Sequence, residues 1–220
     1  MTPRRAAVGG KVSIAVPTGA LMPGALRLLA RAGVARLSAD ELGRQLMVDR
    51  SGVRVILVRP ADVPAYVDHG AADLGIVGKD ILWETPGAHY ELVDLKFGRC
   101  QLVLAVPLAS RLNGPETWPP QLRVATKYPR TASSWFEARG QAVEVVQLHG
   151  SVELAPQVGL VDAIVDLTAT GRTLKENRLR VTAILGSSTA RLIANQASLK
   201  TRTSAVQAAV GRLREAAHDR

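Results

Sequence analysis

At 220 residues and 47% hydrophobic side chains, the chain has material for one large core or two small ones. Its 28 basic against 19 acidic residues give a formal charge of +9, which suits an anionic partner; the basic residues are dispersed and aromatics are only 4%, so phosphorylated small molecules fit better than nucleic acid. The single Cys100 excludes an internal disulfide framework, four scattered histidines give no zinc site, and no apolar run reaches the ~18 residues of a membrane span. With an N-terminus that reads as a core strand and not as a secretion signal, the expected location is the cytoplasm.

Hydrophobic patterning predicts a strand at 11–17, then a helix over 21–32 with Leu26, Leu28 and Leu29 on its apolar face and Gly33 as its stop. A strand at 53–58 ends in Arg59-Pro60. A short helix over 62–69 takes Asp62 as N-cap and Gly70 as C-cap. A strand at 74–77 runs into a helix opened by Gly78-Lys79-Asp80, and an extended region at 91–107 is broken at Gly98. The Pro-rich stretch 108–121 reads as a loop near a domain junction. A second series follows: a strand at 123–126, a helix over 131–139 stopped by Gly140, a strand at 142–148, a helix over 152–158 and a strand at 161–167. Strands at 180–186 and 190–194 precede a closing helix over 198–218, with Val206, Val210, Leu213 and Ala217 as its packing stripe.

The alternation predicts an α/β fold of mostly parallel sheet in two lobes, 1–94 with 181–220 and 95–180, joined by two crossover segments. A cleft between the lobes, at the carboxyl ends of strands, is where such a protein takes its ligand.

Within the second lobe, the stretch 153–174, ELAPQVGLVDAIVDLTATGRTL, changes character abruptly. A β-branched run carrying Asp166 at its carboxyl end empties into Thr168, Thr170, Gly171 and Thr173 just before a helical turn. Small hydroxyl residues and a glycine there let backbone N–H groups and hydroxyls converge on a phosphate. An ordinary strand-to-helix turn capped by threonines is the competing reading of the same residues.

Five segments together resemble the ATP phosphoribosyltransferase family in its short form: RPADVPAYVDHGAADLGIVGKDILWE (59–84), DLKFGRC (94–100), RVATKYP (123–129), GSVELAPQVGLVDAIVDLTATGRTLKEN (150–177) and RLIANQASLK (191–200). The resemblance covers nearly the whole chain in register. It implies a two-lobed fold like that of periplasmic binding proteins, and transfer of phosphoribosyl from phosphoribosyl pyrophosphate to N1 of the adenine of ATP, the first step of histidine biosynthesis. It also implies magnesium carried by the polyphosphate substrates and not by a dedicated protein site, self-association as a dimer, and a hetero-octamer with a regulatory subunit similar to histidyl-tRNA synthetase.

By resemblance, Thr168, Ala169, Thr170, Gly171, Arg172 and Thr173 cradle the donor's 5′-phosphate, and Asp166 accepts hydrogen bonds from its ribose hydroxyls. Glu153 is a substrate contact or a first-turn glutamate favoured by the helix dipole. Arg59, Asp73, Lys79 and Asp80 sit at strand ends or helix starts; Lys79 suits a polyphosphate as a point charge. Arg44 matches a basic position aimed at the leaving group, and with Arg59 forms the expected catalytic pair. Lys127 and Tyr128 border the adenine pocket, with a core role the alternative for Tyr128.

One departure stands out. Where the family has a proline followed by Lys-Gly-Arg-Leu, this chain has Pro17-Thr18-Gly19-Ala20-Leu21. Two cations are absent, and charge-assisted contacts contribute about 1.5–3 kcal/mol each. Two other readings therefore accompany the transferase: a nucleotide-binding relative without turnover, and a solute-binding receptor of the same fold.

Overall fold

The computed structural model describes residues 11–38, 41 and 45–218. In chain order its strands and helices begin with β1 (Val12–Pro17), α1 (Met22–Arg31), β2 (Met47–Arg50), β3 (Val53–Val58), α2 (Val63–Asp68), β4 (Leu74–Gly78), α3 (Lys79–Glu84) and β5 (Tyr90–Asp94). There follow β6 (Cys100–Pro107), β7 (Leu122–Thr126), α4 (Pro129–Glu137), β8 (Val143–Gln147), β9 (Ala163–Thr168), α5 (Arg172–Glu176) and β10 (Leu179–Ser188). The chain closes with β11 (Ala190–Ala194), α6 (Gln196–Thr201) and α7 (Thr203–His218).

Two compact units result, 1–98 with 189–220 and 99–188, so the chain passes between them twice. Both crossings lie later than the 94/95 and 180/181 boundaries read from the sequence. The first unit carries one sheet in the order β2-β3-β1-β4-β11-β5; the second carries β10-β6-β9-β7-β8.

The sheets are mixed, which corrects the expectation of mostly parallel strands. Parallel pairing is confined to β3-β1-β4 and to β9-β7-β8, while β2, β5, β6, β10 and β11 pair antiparallel with their neighbours. The extended segments 90–107 and 179–194 each hold two strands of different sheets and are where the chain passes between the units.

In the first unit, successive residues of β1 feed opposite cores, as a sheet covered on both faces requires. Ile14 and Val16 join Leu26, Leu29, Leu192, Val206 and Leu213 under α1 and α7, while Ala15 joins Val58, Val63, Val67 and Ile193 under α2. Gly75 allows that second layer to close: a Cβ there would lie 2.7 Å from Val67 and 2.8 Å from Val63. In the second unit, Val103, Ala125, Val152, Ile164 and Leu174 share one core, and fully buried Phe136 meets the rings of Trp118 and Trp135 at 5.5 and 5.0 Å.

Three local expectations change. The helix expected over 152–158 is a 3-10 turn at Val152–Leu154, followed by further turns in which the N–H of Gln157 bonds Leu154 and that of Gly159 bonds Pro156. Pro156 has no N–H to return to the Val152 carbonyl, which removes one bond of the expected α-helical ladder. The closing helix begins at Gln196, capped by the Asn195 side chain, which accepts from the Ser198 N–H at 2.9 Å, and it breaks at Arg202. Asp62 precedes α2 without a side-chain capping bond.

Candidate functional site

In each unit three adjacent parallel strands deliver their carboxyl ends side by side. In the second unit these are β9, β7 and β8, and the residues that follow them are the phosphate-loop candidates, Lys127 with Tyr128, and the 148–153 turn. Such edges are where α/β sheets present ligand-binding groups, because the strand backbones end there and loops are free to vary.

Asp166 lies in β9 opposite Val103 of β6 and is half-buried. Burial pushes its carboxyl above the ordinary aspartate range, opposed by the Leu167 N–H, which donates to Oδ1 at 2.8 Å, and by the charge of Lys127; the Glu153 carboxylate pushes the same way as burial. The structure therefore brings together Asp166, Lys127 and Glu153.

Beyond β9 the chain turns sharply. Thr168 Oγ1 accepts from the Gly171 N–H at 3.0 Å, and Thr170 Oγ1 from the Arg172 N–H at 3.4 Å. Gly171 has φ +74°, the left-handed region glycine occupies without a Cβ penalty, and α5 starts at the next residue with the Lys175 N–H bonded to the Gly171 carbonyl. Ala169, Thr170, Arg172 and Thr173 are exposed. An open hollow of ≈ 800 Å³ is lined by Thr170, Gly171, Arg172, Lys175 and Glu176. Tyr128 is 7% exposed, and its N–H donates to Thr126 Oγ1 at 2.9 Å.

In the first unit, Thr18, Arg59 and Lys79 follow the ends of β1, β3 and β4. The Thr18 N–H bonds the Val58 carbonyl at 2.8 Å, which fixes the first turn against the second. A hollow of ≈ 430 Å³ is lined by Thr18, Leu57, Arg59, Asp62 and Tyr66 among others. Arg59 is exposed and has no ion-pair partner among the described residues. The Lys79 ammonium is paired with Glu91. Arg44 lies outside the described residues.

Asp73 is bonded within the fold. Its carboxylate accepts from the Ser13 N–H at 2.8 Å, the Ser13 hydroxyl at 2.9 Å, the Ser198 hydroxyl at 2.7 Å and Arg202 Nη1 at 2.7 Å, with the side chain 6% exposed. These bonds tie the start of β4 to β1 and to the α6–α7 corner. Sequence reading placed it at a strand end but had no means of seeing Ser13, Ser198 and Arg202 converge on it. It likewise gave no sign of Glu91, Asp94 and Arg191, which form an ion-pair cluster with Lys79. Among the described residues no group of three or more His, Cys, Asp or Glu side chains is gathered to hold a metal, and no helix is long and apolar enough to cross a membrane.

Comparison with known proteins follows the same lines. A family model described as ATP phosphoribosyltransferase matches residues 59–215. The ATP phosphoribosyltransferase of Rubrobacter xylanophilus is 51% identical over 204 residues, 90% of this chain and 94% of that protein; that of Moorella thermoacetica is 46% identical over 218 residues, 94% and 93%. Among solved structures, a chain of the ATP phosphoribosyl transferase (HisG:HisZ) complex from Thermotoga maritima superposes with a TM-score of 0.80 at 31% identity, covering 95% of this chain and all of its own. The periplasmic aliphatic sulphonate binding protein SsuA of Escherichia coli matches with a TM-score of 0.61 at 16% identity, over 96% of this chain and 73% of its own, a likeness of fold alone.

Proposed function

The chain belongs to the ATP phosphoribosyltransferase family, and from that premise we propose how its residues divide the work. The reaction moves the phosphoribosyl group of phosphoribosyl pyrophosphate to N1 of the adenine of ATP and releases pyrophosphate, the first step of histidine biosynthesis. Breaking the C1–pyrophosphate bond builds positive charge on the ribose and negative charge on the leaving group. A site must therefore anchor the 5′-phosphate, hold the ribose and meet the leaving group with cations.

The observation that carries the assignment is the turn at 168–172. The amides of Gly171 and Arg172 are gathered beside Thr168 and Thr170, whose hydroxyls now accept from them and which a phosphate oxygen can replace. Thr168 to Thr173 take the 5′-phosphate. Asp166 accepts from the ribose hydroxyls in its ionised form, and the charge of Lys127 favours that form against burial and the Glu153 carboxylate. Arg59 and Lys79 of the first unit, together with Arg44 by resemblance, take the pyrophosphate or triphosphate. Asp73 is left out of this set. Magnesium arrives as part of the polyphosphate substrates.

The Thermotoga maritima chain belongs to a HisG:HisZ complex, and by the family resemblance a regulatory subunit similar to histidyl-tRNA synthetase assembles with dimers of this chain into a hetero-octamer in the cytoplasm. The receptor reading has no support beyond a shared fold at 16% identity.

The test is to mix the chain with ATP, donor and magnesium, alone and with its regulatory partner, and to follow pyrophosphate and N1-substituted product. Thr168→Val combined with Thr170→Val raises KM for the donor about tenfold or more and leaves KM for ATP within about twofold. An unchanged donor KM removes the loop from the site. Tight substrate binding without product under both conditions favours the relative without turnover that Thr18 and Ala20 suggest.

A further inference from the structure

A charge cluster in the first unit extends from Lys79, at the end of β4, to β11 and β5. β11 lies between the other two strands, with Arg191 opposite Val77 on one side and Asp94 on the other. Lys79 follows β4 directly, and its ammonium pairs with Oε2 of Glu91 on β5. The other oxygen of Glu91 is 3.4 Å from Nη1 of Arg191, and Nη2 of Arg191 is 3.5 Å from Asp94. Asp94 also takes Lys96 at 3.1 Å and the Thr189 hydroxyl at 2.8 Å.

Two features of this cluster bear on anions. Glu91 serves two cations at once, and both members of the Lys79–Glu91 pair keep more than a quarter of their side-chain surface in solvent (28% and 30%), so the pair can open without unfolding anything. The cluster is also short of acceptors. The buried Nε–H of Arg191 has no acceptor among the described residues.

We propose that Glu91 is an internal stand-in for substrate phosphate: its carboxylate occupies the Lys79 ammonium in the ligand-free protein and yields that cation to a pyrophosphate or triphosphate oxygen. This rests on the reading of Lys79 as a polyphosphate contact. When Lys79 leaves, Glu91 keeps Arg191 as a partner, so neither carboxylate is stranded by the exchange. Glu91 weakens anion binding by competing for the same cation, which is opposite to what a residue that merely orients Lys79 does.

Isothermal titration of the full-length chain with magnesium pyrophosphate separates these cases. Glu91→Gln, and as a second variant Glu91→Ala, tighten pyrophosphate binding roughly two- to fivefold, the scale of a half-exposed ion pair. Lys79→Met weakens binding and abolishes the gain when combined with Glu91→Gln. If Lys79→Met weakens pyrophosphate binding while both Glu91 variants leave it unchanged or weaker, the competition is refuted and the Lys79 assignment stands. If Lys79→Met has no effect, the assignment itself fails and the proposal with it.

Discussion

Asp73→Ala is the perturbation that most sharply separates a brace from a ligand. The substitution leaves the Arg202 guanidinium, the Ser13 and Ser198 hydroxyls and the Ser13 amide without their shared acceptor, at a side chain only 6% exposed and a guanidinium 15% exposed. Removing one partner of a buried pair costs about 3–5 kcal/mol. In a chain of this size about 2–4 °C of melting temperature is lost per kcal/mol, so the midpoint falls by roughly 6–20 °C. Asp73→Asn keeps the shape but turns an amide N–H₂ toward donors, and falls between wild type and Ala. Arg202→Met combined with Asp73→Ala completes a cycle whose coupling is about 0.5–3 kcal/mol. Calorimetry gives the midpoints, and donor and ATP KM values measured well below them give the ligand side. A melting temperature within about 2 °C of wild type together with a tenfold rise in either KM refutes the bracing role.

The acid limb of kcat/KM for the donor lies above the ordinary carboxylate range, because burial raises Asp166 and the ribose hydroxyls need it ionised. Lys127→Met moves that limb further up and Glu153→Gln moves it down, since the first opposes the burial effect and the second adds to it. The Arg123–Asp162 pair gives stability of opposite sign in pH. Burial alone raises Asp162, but the Arg123 side-chain and amide bonds outweigh it and its carboxyl is lowered. Its stabilisation is therefore present above the unfolded aspartate range and lost as pH falls through the folded value, and Asp162→Asn flattens urea midpoints measured across that interval. Gly171→Ala places a Cβ at φ +74° in an otherwise open space, so it costs about 1–2 kcal/mol of local strain, raises donor KM and lowers the melting temperature by about 2–8 °C. Thr18→Lys with Ala20→Arg raises kcat/KM if the two missing cations limit the rate; steady-state kinetics with the regulatory partner present decides it.

Much of the fold is legible because burial dictates local pattern. The apolar runs of β1, β3, β4 and β9 and the stripe Val206, Val210, Leu213, Ala217 are buried where the periodicity puts them. What escapes depends on groups distant in sequence. Arg202 interrupts the last helix where its side chain reaches Asp73. The Met47–Arg50 strand is short, with only Val48 partly buried, and the Ser51-Gly52 dipeptide, with φ +50° and +79°, marks the hairpin that pairs it with β3. The site divides the same way. The 166–173 segment is local and reads from its own residues, whereas the commitment of Asp73 and the pairing of Lys79 with Glu91 exist only after β1, β5, β11 and α6 are assembled.

The position of β11 between β4 and β5 also sets the order in which the chain acquires structure during synthesis. The second unit, 99–188, is contiguous and has all five of its strands before residue 190 leaves the ribosome. The first unit at that moment has an open slot: β4 shows a bare edge and β5 has no neighbour until 190–194 fills the gap, after which Arg202 reaches Asp73 and α7 covers the sheet. An uncovered strand edge is where mispairing starts. A chain truncated after residue 188 and released from the ribosome therefore carries all five strands of the second unit and an aggregation-prone half-sheet of the first, and the segment from 189 onward is what converts that half-sheet into a folded body.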